Sequence, residues 1–246
     1  MSDALLREEK DGLLTLTLNR PDKLNALSFE SFTGLAAAVD HAAANRDKIG
    51  CVLLRGAGRS FCAGNDLGDL GGVFNAGDNS KFRSDTVERL ASLPMPVIAA
   101  VQGHCLTGGL ELALAADIII AGESAKFGDT HGKWDLVPVW GLSQRLPRRI
   151  GRAKALEMSF SARHYSGRQA EAMGLANFCV PDAELASTVA EFIKEVLANS
   201  WRSSAAIKKL IDDTDGMSLK AGLAHEVHRS EGRGPETAAR LARMRK

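Results

Sequence analysis

The sequence of this 246-residue chain predicts an α/β fold followed by a helical C-terminal region. In the first part of the chain, short apolar runs bounded by glycine or proline alternate with helical patterns, which is typical of βα units. After Leu142 the strand patterns nearly stop, and apolar residues recur at helical spacing. We therefore divide the chain into an α/β core over residues 1–181 and a helical region over residues 182–246.

Four strands and three helices are predicted in the core. The strands are expected at residues 13–18, 50–55, 96–101 and 117–121. The helices are expected after a Ser28 cap, over residues 86–93 and over residues 108–116. Residues 67–85 contain four glycines and little periodicity. We interpret them as mobile surface with weak helical character.

The C-terminal region shows three helical patterns. Their apolar positions are Leu185, Val189, Phe192, Ile193, Val196 and Leu197, then Ala206, Leu210 and Ile211, then Leu219, Leu223 and Val227. About 65 residues are too few to form a rich core alone. The region is therefore expected to pack on its own core or on a neighbouring subunit.

Composition argues against several classes of partner and location. The 31 basic residues are balanced by 30 acidic residues, which argues against nucleic acid. The N-terminus has no basic segment before an apolar stretch, and the most apolar window, residues 106–122, is too short to span a bilayer. Four cysteines without paired spacing indicate reduced thiols. We expect a cytoplasmic protein that does not bind membranes.

Several standard sites are missing from the sequence. Phe61 stands where a dinucleotide-binding fingerprint needs glycine, and the chain has no GxxxxGK[ST] phosphate loop or GxSxG elbow. His225 and His228 are three residues apart on an expected surface helix, so solvated side chains are favoured over a metal site. We expect no metal.

One predicted helix carries a candidate acid/base. Gly108 and Gly109 open a helix of leucine and alanine, which predicts that ligands can approach its first peptide N–H groups. Glu111 lies in the first turn. A capping box fails, because the residue three positions earlier is Gly108. A helix-dipole role is the structural alternative, but a carboxylate in an apolar helix favours a general acid or base.

A second element is the glycine-containing loop at residues 61–67, which follows a buried strand. In α/β folds such loops contact ligands, although glycine loops after strands are common. These two elements and their flanks resemble the enoyl-CoA hydratase/isomerase (crotonase) superfamily. The motifs that carry the resemblance are, in order, residues 18–27, 52–67, 96–113 and 127–147, with residues 170–176 after them.

The resemblance implies a spiral of repeated ββα units with a C-terminal helical trimerisation region. It implies homotrimers, often paired into hexamers. It also implies binding of acyl-CoA thioesters, with the thioester carbonyl polarised by the backbone N–H groups of Asn65 and Gly108. The implied CoA-binding surface comprises Leu24, Ala26, Ala63 and Asp66. Arg59 or Lys23 could meet CoA phosphates, but solvated surface charge is an equal alternative.

The resemblance also assigns the catalytic position of Glu111, which matches the first of two glutamates in hydratases of the superfamily. The second position, twenty residues later, holds His131. Histidine can act as an acid or base near neutral pH, or it can be a pocket wall. Asp129 and Asp135 could partner or replace it. The same loop is flanked by Trp134 and Trp140. Both could line the acyl pocket, although tryptophan side chains are more often buried in the core.

The leading functional hypothesis is an enoyl-CoA hydratase in which Glu111 handles the water and His131 assists. The first alternative is an isomerase, or another lyase or hydrolase that uses a single carboxylate on an acyl-CoA. A non-catalytic acyl-CoA binder is disfavoured, because a binder needs no buried carboxylate. No cofactor beyond the CoA moiety of the substrate is expected.

Overall fold

A six-stranded sheet forms the centre of the molecule in the computed structural model, which describes residues 4–66, 68 and 77–244. The strand order is β1-β2-β3-β4-β6-β9; β1 is antiparallel to β2, and the other neighbours are parallel. Its strands are β1 (Leu5–Lys10), β2 (Leu13–Leu18), β3 (Cys51–Gly56), β4 (Val97–Val101), β6 (Ile118–Gly122) and β9 (Phe178–Val180).

A second, smaller sheet has three strands, which are interspersed along the chain with the later strands of the central sheet. Strand β5 is parallel to β7, and β7 is antiparallel to β8. These strands are β5 (His104–Leu106), β7 (Lys126–Gly128) and β8 (Tyr165–Ser166). They are two or three residues long, too short for sequence periodicity to reveal them. Strand β1 was also not predicted, because five of its six side chains are exposed on an edge strand.

The described residues contain ten α-helices. They are α1 (Phe29–Ala44), α2 (Gly77–Ala91), α3 (Gly108–Ala113), α4 (Leu142–Ile150), α5 (Arg152–Ser161), α6 (Gly167–Ala172), α7 (Leu185–Ala198), α8 (Trp201–Asp213), α9 (Leu219–Arg229) and α10 (Thr237–Met244). The predicted Ser28 cap is confirmed, since its side chain accepts a hydrogen bond from the Ser31 N–H. None of the helices in the described part of the chain is both long and apolar enough to cross a membrane.

Helix α2 corrects one prediction. The segment 67–85 was interpreted as mobile surface with weak helical character, but residues 77–85 form the first part of α2. Residues 67 and 69–76 lie outside the described residues. The buried face of α2 includes the polar side chains of Arg83 and Thr86, so a search for apolar periodicity misses it.

The two faces of the central sheet pack against different helices. On β3, Val52 and Leu54 point into the main core, whereas Cys51 and Leu53 join a second cluster against α7. Both faces of β3 are therefore apolar, as expected for a parallel strand covered on both sides. Helix α7, at the start of the C-terminal region, packs on the chain's own sheet. The predicted α/β class is confirmed.

The loops that follow β2, β3 and β5 carry the candidate site, and Asn25 joins the first two of them. Asn25 is buried with φ of +56°. Its Nδ2 donates to the carbonyl oxygens of Ala57 (2.9 Å) and Ser60 (2.7 Å), and its Oδ1 accepts from the Arg20 N–H (2.9 Å). Asparagine tolerates the left-handed conformation better than most residues.

Replacing Asn25→Ala should therefore lower the free energy of unfolding by about 2–4 kcal/mol, because three hydrogen bonds are lost and two carbonyl groups lose these donors. Urea denaturation followed by circular dichroism measures this change. The matched control is Asn199→Ala, which removes one exposed bond to the Glu195 carbonyl (3.0 Å) and should cost less than about 0.5 kcal/mol. Equal losses in the two variants would contradict the role of Asn25.

Candidate active site

Two peptide N–H groups lie near each other, that of Asn65 in the loop after β3 and that of Gly108 at the first residue of α3. Cys62 pairs with Cys105 in an isolated parallel bridge: the Cys62 N–H donates to the His104 carbonyl (2.8 Å), and the Leu106 N–H donates to the Cys62 carbonyl (3.0 Å). A Cβ placed on Gly64 would lie 3.8 Å from the Gly108 nitrogen. Neither the Asn65 N–H nor the Gly108 N–H has an acceptor among the described residues.

The residue before Gly108 is held in a strained conformation. Thr107 has φ of +52° and ψ of −112°, a region that β-branched residues rarely adopt. Its N–H donates to the Gly128 carbonyl (2.9 Å), and its hydroxyl pairs with the hydroxyl of Thr130. These contacts keep Thr107 in place and fix the direction in which the chain enters α3. Such strain is characteristic of functional sites.

The two glycines of α3 are required by close packing. A Cβ on Gly108 would lie 2.5 Å from the Trp140 ring, and a Cβ on Gly109 would lie 2.4 Å from the Cys62 carbonyl oxygen. No side chain fits at either distance. The glycines therefore allow the start of α3 to contact the loop after β3 and the ring of Trp140.

The carboxylate of Glu111 is 1% exposed and is held by one of its oxygens. Its Oε1 accepts hydrogen bonds from the backbone N–H groups of Trp140 (2.8 Å) and Leu142 (3.3 Å). Burial raises the pKa of Glu111 above its ordinary value, and the Trp140 N–H and nearby His131 offset part of this effect. Its Oε2 lies 3.8 Å from His131 Nε2.

His131 is buried between Glu111 and a second carboxylate. The ring Nδ1 of His131 lies 2.7 Å from Asp129 Oδ1, and the backbone N–H of His131 donates to the same oxygen (3.1 Å). Burial acts to raise the pKa of Asp129, but hydrogen bonds from His131 and Ser159 outweigh it, so that the pKa lies below the ordinary value. An ionised Asp129 accepts the Nδ1 proton of His131. The lone pair of neutral His131 is then on Nε2, facing Glu111.

The 3.8 Å gap between Glu111 Oε2 and His131 Nε2 is too long for a direct hydrogen bond. It is short enough for one water molecule to bind both atoms. The arrangement therefore offers two acceptors for one water. The sequence offered two aspartates as partners of His131. The structure pairs His131 with Asp129, whereas Asp135 is exposed and has a left-handed backbone conformation.

The four residues of the expected CoA-binding surface lie on adjoining loops. The Ala63 N–H donates to the Leu24 carbonyl (3.0 Å). Arg20 binds both the Ala26 carbonyl (2.7 Å) and the Asp66 carboxylate (2.7 Å). Burial acts to raise the pKa of Asp66, but Arg20 outweighs it and holds the pKa below the ordinary value. The loops after β2 and β3 thus form one continuous surface.

The two tryptophans have different environments. Trp140 is 5% exposed, and the edge of its ring meets Phe32 at a centroid distance of 4.8 Å. It also covers Gly108, so it forms a wall beside one of the unpaired N–H groups. Trp134 is 56% exposed in the turn after His131. Its place in an acyl pocket remains a prediction.

The cysteines near the site are poor nucleophiles. Cys62 is fully buried, and burial raises its pKa to about 12. Burial also raises the pKa of Cys105 well above the ordinary value. A thiolate is the reactive form of cysteine, and neither residue forms it readily. Neither thiol is therefore a candidate nucleophile, which leaves the facing side chains of Glu111 and His131 as the acid/base candidates.

Sequence reasoning missed several residues that shape this site. Arg20 and Asn25 lie in a motif that was noted without assigning them roles. Thr107 gave no sign of its positive φ, because β-branched residues seldom adopt it. Arg83 lies in the segment interpreted as mobile surface, yet its Nη1 donates to Asn65 Oδ1 (2.8 Å). A glycine-poor stretch of polar residues after Gly77 was the one available signal of a helix there.

Comparisons with known proteins show the family of this chain. The enoyl-CoA hydratase/isomerase family profile matches residues 8–232. The chain is 35% identical to "Probable enoyl-CoA hydratase 1, peroxisomal" of Arabidopsis thaliana, covering 90% of this chain and 82% of that protein. It is 35% identical to the 1,2-epoxyphenylacetyl-CoA isomerase of Escherichia coli strain K12, covering 96% and 93%.

The fold is also shared with solved structures. A crystal structure of enoyl-CoA hydratase from Bacillus anthracis superposes with a TM-score of 0.93 at 30% identity, covering 98% of this chain and 96% of that one. The chain belongs to the enoyl-CoA hydratase/isomerase family and is an enzyme of that family. The crotonase-like fold that the motifs implied is confirmed.

The raised pKa of Glu111 predicts a pH-dependent stability difference. A carboxyl whose pKa is higher in the folded state destabilises folding as pH rises from its unfolded pKa, about 4.3, to its folded pKa. Glu111→Gln removes this charge but keeps an oxygen for the Trp140 N–H. The variant should be more stable than the parent at pH 7, and the difference should shrink towards pH 4.

Urea denaturation at several pH values measures this difference, and Glu157→Gln is the control of opposite sign. Hydrogen bonds from Lys154 (2.6 Å) and the Tyr165 hydroxyl (2.8 Å) lower the pKa of Glu157, so its charge stabilises the folded state above its unfolded pKa. Its glutamine variant should be less stable than the parent at pH 7. A Glu111→Gln variant that is equally destabilised would refute a cost of burying the Glu111 charge.

Proposed function

We propose that the protein is an enoyl-CoA hydratase, which adds water across the α,β double bond of a trans-2-enoyl-CoA. The observation that carries this proposal is the pair of acceptors, Glu111 Oε2 and His131 Nε2, separated by 3.8 Å in a buried site. Hydration requires a bound water as the second reactant, and this pair can hold one. An isomerase needs only one group that moves a proton.

The reaction begins with the water between Glu111 and His131. Glu111 accepts one proton of the water, and His131 Nε2 accepts a hydrogen bond from the other hydrogen. The resulting hydroxide oxygen forms a bond to Cβ, and the electron pair of the double bond moves to the thioester oxygen. Glu111 then gives its proton to Cα. Oxygen and hydrogen reach the same face of the double bond, which is syn addition.

The enolate oxygen formed in this step would be stabilised by the N–H groups of Asn65 and Gly108. Preorganised donors in a dry site are often the largest single contribution to catalysis. Their support here is that the loop of Asn65 lies beside the start of α3 and that neither N–H group has an acceptor in the described part of the chain. The surface formed by Leu24, Ala26, Ala63 and Asp66 would hold the CoA moiety.

Three further points belong to this proposal. The reaction needs no cofactor beyond the CoA carried by the substrate. The protein would form trimers or hexamers, which is supported by exposed apolar side chains on α8 and α9: Ile207, Ile211, Leu219, Leu223 and Val227. A cytoplasmic location is supported by four buried cysteines that form no disulfides.

The proposal predicts that Glu111→Gln abolishes hydration while the fold persists. The amide is nearly isosteric but cannot accept the proton, so the rate should fall by about 10²–10⁴-fold. Loss of enone absorbance from a short trans-2-enoyl-CoA measures the rate. In the parent enzyme, kcat/KM should fall on the acid side at a pH above the ordinary pKa of glutamate. Migration of the double bond without water addition would favour an isomerase instead.

The role of His131 can be tested through its tautomer. His131→Ala should reduce kcat by about 10²-fold, because the second acceptor for water is lost. Asp129→Ala should also lower kcat, since no carboxylate then holds the ring proton on Nδ1. His41→Ala removes another paired histidine, bound to Glu9 (2.8 Å), far along the sequence from this site, and should leave kcat unchanged. Full activity in Asp129→Ala would contradict a role for the Nε2 lone pair.

A further inference from the structure

Arg83 is a charged residue buried against the candidate site. It is 1% exposed, and its Nη1 donates to Asn65 Oδ1 at 2.8 Å. Its guanidinium carbon lies 5.3 Å from the centre of the Phe32 ring, within range of a cation–π interaction. Burial of a charged side chain is costly unless it is compensated, and arginine is seldom fully buried. The packing around Arg83 therefore holds its guanidinium in a fixed place beside Asn65.

The contacts of Arg83 continue to the other half of the site. The Phe32 ring meets the edge of Trp140 at 4.8 Å, and the Trp140 ring packs directly on Gly108. The Trp140 N–H donates to Glu111. Buried side chains thus connect Asn65 with Gly108 and Glu111.

Backbone hydrogen bonds hold the peptide that carries the Asn65 N–H on the side that faces Leu27. Its carbonyl oxygen, that of Gly64, accepts from the Leu27 N–H (2.8 Å), and the Asp66 N–H donates to the Leu27 carbonyl (2.9 Å). The Asn65 N–H therefore points away from Leu27. Gly64 has φ of +114° and no side chain to restrict its rotation. The direction of this N–H thus needs a second anchor at Asn65.

We propose that Arg83 is a positioning residue that supplies this anchor, holding the Asn65 side chain so that the Asn65 N–H points at the thioester oxygen. This inference rests on the proposed function, because it assigns Arg83 to the same oxyanion site. A donor helps only when it is aligned with the oxygen that becomes charged, and a displacement of 1 Å can cost about 10²-fold in rate. The effect should appear in kcat more than in KM.

Two single variants and their combination test the proposal. Arg83→Met fills much of the volume but cannot donate, and Asn65→Ala keeps the peptide N–H but removes the acceptor. Each should lower kcat by about 10- to 100-fold with a smaller change in KM. If Arg83 acts through the Asn65 side chain, the double variant should be no slower than the slower single variant, because non-additivity marks a shared interaction.

The infrared stretch of a thioester carbonyl gives a readout that a purely structural role would not change. Butyryl-CoA with a ¹³C-labelled carbonyl has no double bond to hydrate, so it can be observed bound. Its carbonyl frequency should be lower on the parent enzyme than in solution. Arg83→Met and Asn65→Ala should both return it towards the solution value. Arg149→Met is the matched control, since Arg149 binds the Asn177 side chain (2.7 Å) instead of Asn65; it should leave the frequency unchanged.

The outcomes separate this inference from the proposed function. An unshifted carbonyl and no hydration in the parent enzyme would refute the proposed function itself. A shifted carbonyl in the parent that stays equally shifted in Asn65→Ala would refute the role of Arg83 alone, as would fully additive losses of kcat. If Arg83→Met does not fold, Asn65→Ala still decides the question, because it removes the acceptor while Arg83 remains.

Discussion

The backbone pairing of Cys62 with Cys105 is the contact on which the rest of the candidate site depends. It joins the loop after β3 to the strand that leads into α3. Gly109 allows this approach, since a Cβ there would meet the Cys62 carbonyl at 2.4 Å. Both donors, Asn65 and Gly108, follow within a few residues of the pairing. Loss of the pairing would separate them even if each loop kept its own conformation.

A buried charge is the second constraint on the site. Glu111 is removed from water by the same core that holds α3 in place, and among the described residues two backbone N–H groups and His131 offset the cost of its charge. Burial of the ionised carboxylate therefore lowers the stability of the folded protein, and it also allows Glu111 to bind a proton at a higher pH than an exposed glutamate. Asp129 contrasts with it: hydrogen bonds keep its pKa low, so it remains an anion that orients His131. The two carboxylates thus have opposite pKa shifts: Glu111 binds a proton more readily than usual, and Asp129 less readily.

The central sheet separates this site from helix α7. Its inner face contacts the helices that carry Phe32, Arg83 and Glu111, whereas its outer face contacts α7. The three side chains come from three different helices, α1, α2 and α3. All three helices pack in the same hydrophobic core. This core brings Arg83 against Phe32 and Phe32 against Trp140, beside the two N–H groups proposed as oxyanion donors.

The sequence by itself determined the α/β class, the longer strands of the central sheet, the Ser28 cap and the C-terminal helices. It also singled out Glu111, Gly108 and Asn65, because these lie in local motifs whose spacing is visible along the chain. His131 was recognised as a departure at the expected second position. The fold class, the strands, the cap and the placement of Gly108 and Glu111 depend on neighbours in sequence, through periodicity, capping and glycine placement. The positions of Asn65 and His131 were identified through the resemblance of the ordered motifs to the superfamily.

Only the tertiary structure decided which groups meet. It chose Asp129 over Asp135 as the partner of His131, and it placed Trp140 on Gly108 while leaving Trp134 exposed. It turned Arg83 inward from a helix whose polar composition suggested surface. The short strands β5, β7, β8 and β9 likewise exist because distant backbone segments pair. Contacts between residues far apart in sequence depend on how the whole chain packs, and no local pattern of residue types encodes them.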